Sequence, residues 1–313
     1  MSKPFAFIFP GQGSQSVGML DAWGDHPAVV QTLKEASDAL GEDIGRLIHE
    51  GPKETLALTT NTQPVMLVAA IAAYRAWLAE GGALPAVVAG HSLGEFSALV
   101  ASGVLTLAQA VPLVRVRARA MQEAVPAGAG AMAAVLGLDA TRVATVCAES
   151  TAASGEVAEA VNFNDPMQTV IAGSKLGVEK ACEALKAAGA KRALLLPVSA
   201  PFHSSLMKPA ADRLAQVLEE TELAIPRIPL INNIDVAIEV DVARIRAALV
   251  RQAAGAVRWV EIVRAIQARG IDTLVECGPG KVLSGLVKRI DPALTALTVL
   301  DPASLQESLG ALA

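Results

Sequence analysis

The chain has 313 residues and a formal charge of −5, with 52% hydrophobic, 3% aromatic and 18% charged residues. This composition excludes a disordered chain and calls for a core of Ala, Val and Leu, and the acidic balance argues against a nucleic-acid binder, which would carry a basic stripe. The length suggests about two domains, or one large domain with an insertion.

Phe5-Ala6-Phe7-Ile8-Phe9, closed by Pro10-Gly11, reads as a buried strand. It is too short for the core of a signal peptide. Helical patterns follow over residues 29–47 and 63–79. Residues 85–89 predict a second buried strand, which runs directly into Gly90-His91-Ser92-Leu93-Gly94. Helices are expected over 94–101 and 107–124. The uncharged window 96–114 has to be weighed as a membrane span, because the mean hydropathy is +0.44. Its Ser97, Ser102, Gly103, Thr106, Gln109 and Pro112 predict two buried helices broken at Gly103 instead. The rhythm then changes. Strands over 129–138, 157–163, 168–172 and 192–198 enclose helices over 141–150 and 174–188, with a turn at Asn164-Asp165-Pro166. That βαββαβ order predicts an inserted ferredoxin-like subdomain at residues 128–198. The α/β core, with a hydrolase-like and mostly parallel sheet, is then residues 1–127 and 199–313. Further short strands are expected over 229–232, 273–276 and 295–300.

The three cysteines, Cys147, Cys182 and Cys277, form neither a zinc spacing nor an even disulfide set. A reduced, cytoplasmic compartment fits, and no metal or cofactor is called for.

Gly90-His91-Ser92-Leu93-Gly94 matches the G-x-S-x-G nucleophile elbow, with an apolar strand before it and a helix after it. Ser92 is the candidate nucleophile, and the Leu93 N–H points at a developing oxyanion. A serine needs a base. His26 and His49 adjoin Asp25 and Glu50 in solvated helical surroundings. His91 leaves the turn in a different direction and lines the pocket. His203, in a loop just past the insert, is the candidate base. Gly11-Gln12-Gly13 is not a dinucleotide loop, since Ser16 stands where a third glycine is needed. It is a Gly-rich loop from which Gln12 supplies a second oxyanion donor. Gly278-Pro279-Gly280-Lys281 lacks Walker spacing and reads as a tight turn near the pocket. On helix 107–124, Arg117 follows a largely apolar run, whereas Arg115 and Arg119 are read as exposed. A guanidinium can hold a carboxylate through two parallel bonds. Spacing alone leaves Arg117 equally open to a surface salt bridge.

Six motifs stand in register: Pro10-Gly11-Gln12-Gly13-Ser14-Gln15, Gly90-His91-Ser92-Leu93-Gly94-Glu95, Gln122-Glu123-Ala124-Val125-Pro126, Asn162-Phe163-Asn164, Pro201-Phe202-His203 and Glu276-Cys277-Gly278-Pro279-Gly280-Lys281. Together they resemble malonyl-CoA:acyl carrier protein transacylases and the acyltransferase domains of polyketide synthases. The resemblance runs from the first strand to about residue 290. It implies an acylated Ser92, a basic His203, and an oxyanion hole from the N–H groups of Gln12 and Leu93. It also implies that Arg117 holds the malonyl carboxylate and that the Gln252 main-chain carbonyl orients the histidine. An acidic third member is then unnecessary; Asp139 and Asp165 are the only loop candidates. Phe202 matches the malonyl-selecting pattern, and Asn162 and His91 join the substrate-binding set. The implied partners are malonyl-CoA and an acidic, phosphopantetheinylated carrier protein, with no nucleic acid and no membrane. Lys281, Lys288 and Arg289, or Lys191 and Arg192, are the candidate docking charges.

Two other readings compete. A serine esterase or thioesterase of the α/β-hydrolase type expects Ser, then Asp or Glu, then His in chain order, with an upstream His-Gly-Gly-Gly-type loop. Neither is convincingly present. A non-catalytic scaffold conflicts with an intact Ser92 and His203.

Overall fold

The computed structural model describes residues 3–198 and 200–313. Met1, Ser2 and Ser199, the expected first residue of the second core segment, lie outside the described residues. Strand β1 (Phe5–Phe9) is followed by α1 (Pro27–Leu40), α2 (Ile44–Glu50), α3 (Lys53–Leu56), α4 (Thr59–Ala79), β2 (Val87–Gly90), α5 (Gly94–Ser102) and α6 (Leu107–Glu123). Then come β3 (Gly130–Leu136), α7 (Ala140–Ser154), β4 (Ala158–Asp165), β5 (Gln168–Ser174), α8 (Lys175–Ala187) and β6 (Arg192–Leu195). The chain closes with α9 (Lys208–Glu220), β7 (Leu230–Ile231), α10 (Val242–Ala253), α11 (Trp259–Gln267), β8 (Thr273–Cys277), α12 (Val282–Ile290), β9 (Thr295–Val299) and α13 (Pro302–Leu312).

The first sheet has the order β7-β2-β1-β8-β9, with every neighbouring pair parallel. Both faces are covered, so its strands are continuous apolar runs. Successive side chains of β1 point to opposite faces. Phe5, Phe7 and Phe9 meet Tyr74 and Trp77 of α4, mostly edge-to-face, with ring centroids 5.5–6.2 Å apart. Ala6 and Ile8 join the opposite layer, with Trp259 and Ile262 of α11 and Leu286 of α12. The scarce rings are therefore concentrated rather than dispensed with. Each contributes about 2–3 kcal/mol by burial. Helix α4 is buried without a break from Thr62 to Tyr74, as expected of a helix that is apolar all round and lies inside the layer.

The second sheet has the order β4-β5-β3-β6 and is antiparallel throughout. Ala133, Val135 and Ile171 pack with Val143 and Val146 of α7 and Val178 and Leu185 of α8 as a separate core. Strand β4 is stitched to the rest of the chain, since Phe163 N–H donates to Val257 O (3.0 Å) and Val257 N–H to Val161 O (2.8 Å).

Three expectations are corrected. The helix over 29–47 is two helices: Gly41 closes α1 in the left-handed conformation (φ 66°), and the Asp43 side chain caps α2. Asn164 and Asp165 are the last residues of β4, so the turn is Pro166-Met167. Arg115 is buried, not exposed, because Glu42 takes two of its guanidinium N–H groups (3.1 and 2.7 Å). Gly103 does break the apolar window, as the left-handed end of α5. Among the described residues no helix is long and apolar enough to cross a membrane. All three cysteines are buried free thiols.

Candidate active site

Because the first sheet is parallel, β1, β2, β7 and β8 all release their loops at the same end. That end is where sites gather in such sheets. The loop after β2 is the elbow. A Cβ on Gly90 would fall 2.0 Å from the carbonyl carbon of Gly94, and one on Gly94 would fall 2.0 Å from Phe9 O. Only glycines allow this approach, and between them Ser92 takes a left-handed φ of 53°. Such a backbone costs about 1–3 kcal/mol and persists only when its surroundings over-determine it. Here they do. Ser92 N–H donates to Asn233 Oδ1 (2.7 Å), Asn233 Nδ2 donates to Gly90 O (2.6 Å), and Gln252 Nε2 donates to Ser92 O (2.9 Å).

The Ser92 hydroxyl faces His203 Nε2 at 2.6 Å. His203 Nδ1 lies 3.0 Å from Gln252 O and 3.2 Å from Gly255 O. Both are acceptors, so Nδ1 carries the proton and Nε2 keeps its lone pair for the serine. Burial pushes the imidazole pKa down to about 3, and the Arg117 cation adds to the drop. The ring is therefore neutral at ordinary pH. Asp139 caps α7, and Asp165 pairs with Arg289 (2.7 Å); neither approaches the histidine.

Arg117 is 2% exposed. Its Nη1 donates to Gln63 Oε1 (2.7 Å) and its Nη2 to Gln252 Oε1 (2.9 Å), with Ser92 Oγ 3.4 Å away and the Phe96 ring below. No carboxylate pairs with it among the described residues. Burial lowers its pKa to about 10, which leaves it cationic. A buried guanidinium held by two neutral amides, beside an open cleft, has the chemistry to accept a carboxylate.

The cleft over these groups holds about 740 Å³. Gln12, His91, Asn162 and Phe202 line it together with Ser92, Arg117 and His203. Gly11 brings its loop against the elbow, where a Cβ would meet His91 O at 2.7 Å. The Gln12 side chain accepts from Gln63 Nε2 (3.3 Å) and donates to Thr59 Oγ1 (3.4 Å). Leu93 stands at the start of α5, where helix N–H groups have no acceptor within the helix. His91 does not serve Ser92. It pairs with Asn164 Oδ1 (2.8 Å) beside Trp259, and burial lowers its pKa. Asn162 sits at a bulge of β4, with its Oδ1 buried and unpartnered. The Gly278–Gly280 turn abuts Ser14 rather than the cleft. Of the docking charges, Lys288 donates to Leu294 O (2.6 Å) and Arg289 is engaged by Asp165, so neither is idle. Among the described residues no cluster of His, Cys, Asp or Glu is arranged to hold a metal.

The sequence reading missed Asn233, Glu95, Gln63 and the side chain of Gln252. Asn233 had a weak signal, a polar pair just past a strand end. Glu95 ends the elbow motif, but nothing in the pattern assigns it a partner.

The sequence model of the acyl transferase domain family matches residues 6–295. The malonyl CoA-acyl carrier protein transacylase of Salmonella typhimurium is 54% identical over 306 residues, covering 97% of this chain and 98% of its own. The crystal structure of an acyl-carrier-protein S-malonyltransferase from Burkholderia pseudomallei is 62% identical with a TM-score of 0.96, covering 98% of this chain and 99% of that one. A complex of a type II polyketide synthase acyl carrier protein with its malonyl-transacylase matches at 51% identity and a TM-score of 0.96, over 99% of this chain and 100% of that one. The elbow, the Ser92–His203 pair and the cleft thus sit in a chain whose sequence and fold follow these relatives almost end to end, and it belongs to the acyl transferase domain family.

Proposed function

We propose that this chain transfers the malonyl group of malonyl-CoA to the phosphopantetheine thiol of acyl carrier protein, in two half-reactions through a malonyl-Ser92 ester. Ser92 Oγ attacks the thioester carbonyl while its proton passes to His203 Nε2. The tetrahedral oxyanion is taken by the N–H groups of Gln12 and Leu93. Collapse breaks the carbon–sulfur bond, and His203 returns the proton to the departing CoA sulfur. The carrier thiol then repeats the sequence on the ester, with His203 taking its proton and Ser92 leaving as the protonated alcohol. Arg117 binds the free malonyl carboxylate, Phe202 crowds the α-carbon, and Asn162 and His91 face the substrate.

One observation carries this reading: a serine–histidine pair shares its cleft with a buried guanidinium that no carboxylate contacts directly, Glu95 acting on it only through space. A neutral ester would leave that charge without purpose, which disfavours the esterase reading. The names of the relatives agree with it. The strand order β4-β5-β3-β6, with α7 and α8 sharing one core with it, supports a ferredoxin-like subdomain over 128–198 between core segments 1–127 and 199–313. Three buried free thiols fit a cytoplasmic setting. The test is transfer itself. Wild-type protein with malonyl-CoA and holo carrier protein should yield malonyl-carrier, while carrier lacking its phosphopantetheine should yield none. Release of free malonate in place of malonyl-carrier would favour the hydrolase.

A further inference from the structure

The polar groups beneath the cleft form one connected set, and its branches meet at Glu95. That carboxylate is 1% exposed. A single oxygen, Oε2, accepts from Asn233 N–H (3.0 Å) and from Gln252 Nε2 (3.0 Å). The two donors lead to different parts of the site. The Asn233 amide closes the elbow from both sides, on Ser92 N–H and Gly90 O. Gln252 uses all of its polar atoms: Nε2 also reaches Ser92 O, Oε1 receives Arg117 Nη2, and the main-chain oxygen receives His203 Nδ1–H. Glu95 makes no ion pair among the described residues. Burying a carboxylate with no cation in direct contact is costly even though Arg117 acts on it through space, so its retention at this junction calls for a return elsewhere.

We propose that Glu95 is a positioning residue of the transfer reaction: it is the shared anchor through which Asn233 fixes the left-handed Ser92 turn and Gln252 holds His203 and Arg117 in one register. The inference rests on the roles assigned above to Ser92, His203 and Arg117. What the site requires is an acceptor oxygen at the position of Oε2. Glutamine presents one on a chain of the same length, aspartate stops one methylene short, and alanine has none. Loss of the anchor frees the Gln252 side chain to turn, which moves the base and the guanidinium together. A defect confined to folding lowers the active fraction and leaves the choice between acyl groups alone.

The experiment compares Glu95→Gln, Glu95→Asp and Glu95→Ala with wild type. Rates are measured with malonyl-CoA and acetyl-CoA and divided by the fraction of chains that acylate, titrated by intact mass. Glu95→Gln is expected within about threefold of wild type for both donors. Glu95→Asp and Glu95→Ala are expected to lose about 30- to 100-fold in kcat per active chain with malonyl-CoA, the scale of a misplaced catalytic group. They should also raise KM for malonyl-CoA and shift the malonyl-to-acetyl ratio of kcat/KM toward acetyl. If Glu95→Ala does not fold, the Gln and Asp variants carry the comparison. Wild-type rates and ratio in both Glu95→Ala and Glu95→Asp overturn the proposal. So does equal loss with both donors, or a Glu95→Gln as impaired as Glu95→Asp, which would assign the role to charge. Failure of wild-type Ser92 to take up malonyl would overturn the underlying assignment instead, and the wild-type arm detects it separately.

Discussion

The two sheets treat the same cleft differently. The parallel sheet delivers chemistry: the elbow follows β2, the Gly-rich loop follows β1 and Asn233 follows β7, and all are polar groups fixed by hydrogen bonds at strand ends. The antiparallel sheet delivers a wall, and the loop that leaves its last strand, β6, carries His203 back to Ser92. Along β3 and β5 the residues alternate, so that Ala133 and Ile171 enter the insert's own core while Met132 and Val170 face the cleft. A sheet buried on both faces has only its loops to offer a substrate. A sheet covered by helices on one face can offer side chains from the other, and here Met132 and Val170 reach the cleft while the rest of that face packs on the main core. Changes at the polar groups held on loops and helices around the elbow should therefore act on rate, and changes on the cleft-facing side of the second sheet on fit.

The largest separation is expected at the base. His203→Ala should cut transfer by about 100- to 10,000-fold with little change in KM. The depressed pKa adds a pH signature. An ordinary imidazole is protonated as pH falls through about 6.5, and activity falls with it. With its pKa near 3, His203 stays neutral through that window. Malonylation of Ser92 should therefore show no base-dependent loss between about pH 7.5 and 5, read by single-turnover rates. A fall centred near 6.5 would mean a solvated base.

Arg117→Ala comes next. It should lower kcat/KM for malonyl-CoA at least about tenfold, equal to about 1.4 kcal/mol, the order expected of a charge-assisted bond. Acylation by acetyl-CoA should be kept or raised, because the acetyl group leaves the guanidinium unpaired in the unsubstituted protein. If the ratio of the two specificity constants does not move toward acetyl-CoA, the malonyl carboxylate is held elsewhere.

On the wall, Val170→Ala should raise KM for malonyl-CoA by about two- to fivefold, the worth of roughly one or two lost methylene contacts. Its kcat should hold. A fall in kcat at constant KM would break the division of labour between the sheets. The smallest effect is expected at Asp165, which ties the end of β4 to α12 through Arg289 and makes no hydrogen bond to Ser92 or His203. Arg289 is half exposed and Asp165 buried, so solvent screens the pair from one side only and it contributes about 1 kcal/mol. Asp165→Ala should lower the urea midpoint slightly and leave transfer within about twofold of wild type. A collapse of activity in that variant would restore an acidic triad.

The comparison also explains what the sequence revealed. Strands β1, β2 and β8 were legible because strands buried on both faces are unbroken apolar runs. The elbow was legible because its geometry demands Gly90 and Gly94 by steric necessity. His203 was legible from its loop just past the insert, and the Gln252 carbonyl only through the family resemblance. Arg115 was misread because α6 is packed by α1, α4 and α9 at once, so its helical periodicity does not mark one dry face. The acid that makes its burial tolerable, Glu42, lies 73 residues away. Glu95 and Asn233 stayed hidden for the same reason: each is a single polar residue whose meaning depends on a partner 138 residues distant. The break at Gly41 was readable, from a glycine followed two residues later by a capping aspartate.

The most direct test of Ser92 as the carrier of the acyl group is intact mass, recorded after incubation with malonyl-CoA and again after holo carrier protein is added. The wild-type chain is expected to gain one malonyl group, to lose it to the carrier in the second step, and to gain nothing when Ser92 is replaced by alanine. A malonyl label that persists in the Ser92→Ala variant, or one that the carrier protein cannot remove, would contradict transfer through a Ser92 ester.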